Sequence, residues 1–203
     1  MVENVLELLS ARRGHFLMES GHHGDLWLDL EALCYRPHRV QAMAADLAKR
    51  ISKWGADAVC SPLIEGAFVG LFVAMELNVD FTYSERFARP SHDGLFPAGY
   101  RVPAALRDKI RGRRVAIVND VINAGSAVRG TFDDLESSGA TVVGISALLV
   151  LGTAILDYSS SKGVPMISAA RVPNHIWAPT KCPLCAAGVP LTDVEGFAST
   201  FSA

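Results

Sequence analysis

Long apolar runs are missing from this chain. Ala140 to Leu156 comes nearest to a membrane span, but Gly144 and Gly152 divide it, and Thr141 to Val143 opens it as a β-branched strand. No membrane partner is expected. An excess of either charge is also missing: 19 basic residues against 21 acidic ones leave a formal net charge of −2. A general nucleic-acid binder needs a basic surface, so that class is not expected. Cysteine is sparse, with 4 in 203 residues and wide spacing. That excludes a disulfide scaffold and points to a reducing compartment, the cytoplasm by default. A secretory signal is not expected either, because Arg12 and Arg13 follow Leu8 and Leu9 too soon for an apolar h-region. Internal repeats and low-complexity tracts do not stand out. What is present is apolar substance: 50% of the residues are hydrophobic. A chain of 203 residues then suits one α/β domain with a sizeable core.

The most informative stretch is Arg114 to Arg129, RVAIVNDVINAGSAVR. Val115 to Val118 is a short β-branched apolar run, the pattern of a buried parallel strand. Asn119 and Asp120 fall where that strand ends. Asn123, Ala124, Gly125 and Ser126 form a small-residue turn. From Ala127 a helix can run to about Ser138, with Phe132 and Leu135 as apolar anchors. A strand, a tight turn and a helix start aim backbone N–H groups at one spot, which suits phosphate. Open α/β sheets bind ligands at such strand ends.

The rest of the chain alternates in the same way. Val2 to Arg13 reads as a short amphipathic helix. Phe16 to Met18 and Leu26 to Leu30 read as two strands around a turn holding Gly21 and Gly24. Pro37 opens a helix with apolar positions at Val40, Met43, Ala44, Leu47 and Ile51, and Gly55 ends it. Ala56 to Cys60 is a strand, Ser61 to Gly70 a loop turning into a helix through Met75, and Val79 to Ser84 another strand. Glu85 to Gly112 contains Pro90, Gly94, Pro97, Gly99 and Pro103. It is too long for a plain connection and reads as a working loop. Thr141 to Leu149 is a further strand, and Pro165 to Ala170 can return at an edge. The remaining tail carries Cys182-Pro-Leu-Cys185. A single CxxC supplies half of a structural zinc site. Cys34, Cys60 and His175 are the possible further ligands, and spacing does not select among them; free thiols are the plainer reading.

The Arg114–Arg129 segment resembles the phosphoribosyl-diphosphate (PRPP) signature of type I phosphoribosyltransferases. Strand, Asp120, the apolar pair Val121 and Ile122, and the small-residue loop stand in the family's order, with Asn119 replacing the first of two acids. Phe16, Ser20, Gly21 and the strand at Trp27 are similar to the start of orotate phosphoribosyltransferases, where Glu19 stands in place of a Lys used by some members. The CPLC tail through Leu191 also resembles some bacterial members. The resemblance implies an open, mostly parallel sheet with helices on both faces. It also implies a small hood from about residues 1–36 and 165–203, and a mobile loop over about residues 85–112.

The resemblance further implies an enzyme that transfers a phosphoribosyl group from PRPP to a nucleobase, with Mg²⁺ as cofactor and a homodimer as the working form. Asn123, Ala124, Gly125, Ser126 and Ala127 correspond to the 5′-phosphate loop, and Asp120 to the residue on the ribose hydroxyls, with Asn119 beside it. Ser61, Pro62 and Gly66 correspond to the diphosphate loop; Glu65, also in that loop, receives no role. Trp27, Leu28 and Arg129 are the candidates for contacting the base. Mg²⁺ is expected mainly through PRPP and water, with Asp120 as the protein ligand. No lysine occurs between Lys53 and Lys109, and Phe87 stands where the family's loop carries one. Arg86, Arg89 and His92 are the catalytic candidates in that loop, with Arg101 as a further cation. Arginine offers a fork for diphosphate, and histidine can supply a proton. Asn123 argues against a 6-oxopurine, while Phe16 to Gly21, Arg129 and the tail favour orotate. Another base and a non-catalytic PRPP sensor remain the alternatives.

Overall fold

The computed structural model describes residues 2–18, 21–88 and 98–194. In chain order the elements are α1 (Val2–Leu8), β1 (Arg12–Leu17), β2 (His23–Trp27), α2 (Pro37–Ile51), β3 (Ala58–Pro62) and α3 (Glu65–Leu77). They continue with β4 (Asp80–Ala88), β5 (Ala98–Arg101), α4 (Ala104–Ile110), β6 (Arg114–Ile122), α5 (Ser126–Ser137) and β7 (Thr141–Leu151). The last are α6 (Ala154–Ser161), β8 (Met166–Val172), β9 (Ile176–Trp177) and α7 (Pro183–Ala186). Among the described residues, no helix is long and apolar enough to cross a membrane.

A six-stranded sheet in the order β5-β4-β3-β6-β7-β8 is parallel except for β5. Its centre is β6, buried on both faces because its apolar residues serve two cores in alternation. Ala116 and Val118 face the layer of α1, α2 and α3; Val115 and Ile117 face α4, α5 and α6. The α/β architecture expected from the alternating pattern is therefore present, with all parallel strands ending on one edge. A second sheet, β1-β2-β9, is antiparallel and, built from the segments expected to form the hood, keeps that label.

Several boundaries differ from the sequence expectation. Residues 166–172 do not belong to the hood: β8 pairs in parallel with β7 and completes the main sheet, where Ala170 and Val172 are buried. The segment over residues 85–112 is not one loop. β4 runs on to Ala88 and pairs with β5 as a hairpin arm, and α4 follows. Proline and glycine there suggested irregular chain, but Gly99 sits inside the ladder opposite Phe87, and Pro103 flanks the start of α4. The second hood strand is His23–Trp27 rather than Leu26–Leu30, because Leu28 and Leu30 leave the ladder to pack on the main core. Finally, α1 stops at Leu8, and Arg12 and Arg13 open β1, where they pair with Asp29 and Asp25.

Candidate active site

The C-terminal end of β6 delivers Asn119 and Asp120 to the edge where the parallel strands end, both buried. The chain then turns through Asn123, Ala124 and Gly125 into α5. Gly125 has φ +84°, a backbone that a β-carbon disfavours, so glycine is what lets the turn close this tightly. An open cavity of about 240 Å³ lies in the turn, lined by Asn119 and by Val121 through Val128. Among the described residues, no side chain caps α5. Its first N–H groups therefore remain available to a ligand, at the positive end of a 12-residue helix.

Burial pushes the Asp120 carboxyl up to about 6; backbone N–H bonds from Val121 and its own amide oppose the rise, and the Glu65 carboxylate adds to it. Glu65 opens α3, and Gly66 explains how it comes so close. A β-carbon on Gly66 would collide with Asn119 Oδ1 and lie 3.5 Å from Asp120 Oδ1. The Asn119 amide donates to the Val121 carbonyl at 2.9 Å, which fixes its oxygen toward α3. Cys34 belongs to the same neighbourhood. Its thiol is pushed up first by burial and then by Asp120 and Glu65. Glu65 falls in the expected diphosphate loop without a role, and Cys34 has no sequence signal that would place it here; the approach of α3 to β6 brings both beside Asp120.

The expected diphosphate loop is shorter than the sequence suggested. Ser61 and Pro62 lie in β3, paired with Tyr83 and Ser84, because the parallel register with β4 continues two residues further. The Ser61 side chain packs against Gly70. Gly66 lies in the first turn of α3, leaving Leu63 and Ile64, joined by a cis peptide, as the turn.

Arg129 is half-buried. Its guanidinium donates to the Ala154 carbonyl at 3.1 Å and lies over the Tyr158 ring at 4.3 Å. Its Nε lies 3.6 Å from where a β-carbon on Gly125 would sit, and that buried nitrogen has no hydrogen-bond partner. In the hood, Trp27 is buried, packs against Phe16 at 6.0 Å between ring centroids and donates to Asp29 at 2.8 Å. Leu28 packs on the main core. Arg86 is exposed on β4 opposite Tyr100, and Arg101 covers the Phe87 ring at 4.8 Å. Arg89 and His92, like Glu19 and Ser20, lie outside the described residues.

The root of the arm is tied to the helix that forms the cradle. Asp134 accepts from the Val102 amide at 2.7 Å and from Arg107 at 2.8 Å, and Tyr100 packs over Gly130. Asn174 is a site neighbour that sequence reasoning missed. Its amide donates to Asn123 Oδ1 at 2.5 Å, so the chain leaving β8 for the hood touches the cradle on its way.

No protein-family model matches the chain. An orotate phosphoribosyltransferase of a Nitratiruptor species is 30% identical over 192 residues, spanning 87% of this chain and 88% of that one. One from Caldanaerobacter subterraneus subsp. tengcongensis is 27% identical over 195 residues, spanning 93% and 94%. The crystal structure of orotate phosphoribosyltransferase from Aeropyrum pernix superposes with a TM-score of 0.66 at 23% identity, covering 85% of this chain and 94% of that one. At that identity the structural likeness shows a common fold.

Proposed function

This chain belongs to the orotate phosphoribosyltransferase family, and on that premise we propose that the end of β6 is where it transfers the 5-phosphoribosyl group of PRPP to a ring nitrogen of orotate. The products are orotidine 5′-phosphate and diphosphate. The observation that carries the assignment is the pairing of a buried Asp120 with an open cradle at Asn123 to Ala127. Backbone N–H groups there hold the 5′-phosphate, and Asp120 accepts from the ribose hydroxyls. Holding both fixes the sugar for attack at C1. Breaking the C1–O bond develops positive charge on the ribose, which an ionised Asp120 stabilises.

The surroundings of Asp120 fit Mg²⁺. The donors are hard oxygens, with the Asp120 carboxylate, the Glu65 carboxylate close enough to raise its pKa, and Asn119 Oδ1 alongside. Asp120 would hold the ion mainly through water and PRPP. When bound, the ion neutralises charge on the diphosphate.

Arg129 serves the base. A guanidinium is the group that would pair with the carboxylate of a carboxylated pyrimidine, and this one is half-buried beside the turn at Gly125. Trp27 supplies an apolar wall. Arg86 on β4 is a cation for the departing diphosphate, and Arg89 and His92, outside the described residues, are the further candidates. A homodimer is supported by α3. Its inner face is buried, while Ile64, Phe68, Leu71 and Met75, at helical spacing, stay on the outside with Ile64 and Met75 62% and 65% exposed. A helix apolar on both faces asks for a partner on each. The cytoplasm is the proposed setting.

The test is diphosphate release from PRPP with Mg²⁺, with and without orotate. Orotate-dependent release is expected. PRPP binding without release for any base would replace the enzyme with a sensor.

A further inference from the structure

The hood contains a second cluster of reactive groups, separate from the cradle. His15 on β1, His23 on β2, and Cys182 and Cys185 at the start of α7 bring four ligand atoms within 4.8 Å of one another. We propose that these four residues form a Cys₂His₂ site for a structural zinc ion that fastens the C-terminal tail to the hood.

The distances bracket those of a coordination sphere, so small side-chain shifts would seat the ion. His15 Nε2 lies 3.0 Å from His23 Nδ1, 3.4 Å from Cys182 Sγ and 3.7 Å from Cys185 Sγ; Cys185 Sγ is 3.2 Å from His23 Nδ1. Tetrahedral zinc with Zn–N of about 2.0–2.1 Å and Zn–S of about 2.3 Å sets its ligand atoms roughly 3.3–3.8 Å apart. The tautomer agrees. His15 Nδ1 must donate to the Val189 carbonyl, 2.8 Å away, so Nε2 carries a bare lone pair into the cluster. A backbone carbonyl behind the ring is how ligating histidines are commonly oriented. That one lone pair faces three neighbours, and hydrogen bonding satisfies one of them, whereas a central cation satisfies all four groups.

The backbone is shaped to the same end. A bulge at Gly14 and His15, opposite Asp25, breaks the alternation of β1 so that His15 and Phe16 are both buried. Cys182 is buried as well, while Cys185 is exposed and gives the ion a way in. The tail is already threaded along β1 through Thr192, which bonds His15 and Leu17. Binding displaces one proton from each thiol, leaves both imidazoles neutral, and gives a complex of zero net charge with no redox change. The sequence had offered Cys34, Cys60 and His175 as partners for the CxxC; they stand elsewhere, and the two histidines near the N-terminus take their place.

The test is metal retention by the full chain after loading with Zn²⁺ and dialysis. One zinc per chain is expected. With Co²⁺ instead, a thiolate charge-transfer band and the intense visible bands of a tetrahedral site should appear. Cys185→Ser and His23→Ala should each lose the retained ion, and Cys34→Ala should keep it. A second readout needs no variant: titrating Zn²⁺ into the metal-free chain should release two protons per ion bound and shield two thiols from a thiol reagent until a chelator is added. No retained metal, no proton release and no shielding in the wild-type chain would overturn the site.

Discussion

The cradle and the hood differ in where their residues come from. Asn119 to Arg129, one stretch of 11 residues, supplies the end of β6, the turn and the start of α5. In the hood, His15 meets Cys185 across 170 positions of sequence. The cradle holds its shape through local backbone: the positive φ of Gly125, the amide bond from Asn119 to Val121, and a helix start left open. The hood holds its shape through side chains from both ends of the chain. Damage to the first should be a failure of PRPP binding. Damage to the second should be a failure of the tail and of the base.

The largest effect is expected at Gly125. Gly125→Val forces a β-branched residue to φ +84° and drives a β-carbon to 3.1 Å from Ile155. Displacing the cradle by about 1 Å should lower kcat/KM by roughly 100-fold or more. Near-normal PRPP affinity in this variant, measured by calorimetry, would break the assignment of the cradle.

Asp120→Asn sharpens the comparison because function and stability should move in opposite directions. PRPP binding should weaken by roughly 10- to 100-fold, the value of a lost charge-assisted hydrogen bond at about 1.5–3 kcal/mol. The ligand-free protein should become more stable. A carboxyl whose folded-state pKa is raised holds its proton more tightly when folded. Its contribution favours folding at low pH and is lost as pH rises from 3.8 through about 6. Above that range the ionised carboxylate costs up to about 3 kcal/mol, which Asn avoids. Urea unfolding of both proteins at pH 4 and pH 8 checks the sign: the stability difference should grow with pH.

In the hood, Trp27→Leu should raise the KM for orotate by about tenfold, equivalent to about 1.4 kcal/mol, and leave the KM for PRPP nearly unchanged. Equal rises in both would mean that hood and cradle are not separable. Smallest is Asn174→Ala, which removes the hydrogen bond joining the tail to the cradle at Asn123. A cost of about 1 kcal/mol should appear as a several-fold change in PRPP affinity, read by calorimetry.

The same contrast explains what could be read from sequence. The β6–α5 unit was legible because strand, turn and helix start follow one another, and each leaves its own local pattern. The α/β architecture was legible for the same reason. The cluster of His15, His23, Cys182 and Cys185 was not, because no spacing within the tail points to His15 or His23. The hairpin arm was obscured by Gly99 and Pro103, residues that usually mark loops but here sit within a ladder and beside a helix start. Asn119 read as a lost acid. In the structure its amide braces the strand end, and its oxygen fills the space that Gly66 leaves open. Such roles are set by the approach of α3, which leaves no mark in the residues on either side.

The central claim is that the cradle at the end of β6 is the seat of orotate phosphoribosyl transfer. The most direct measurement is diphosphate release by wild-type protein and Asp120→Asn from PRPP and Mg²⁺, with and without orotate. Release should depend on orotate in the wild type and fall sharply in the variant. Release independent of orotate, or undiminished in the variant, would contradict it.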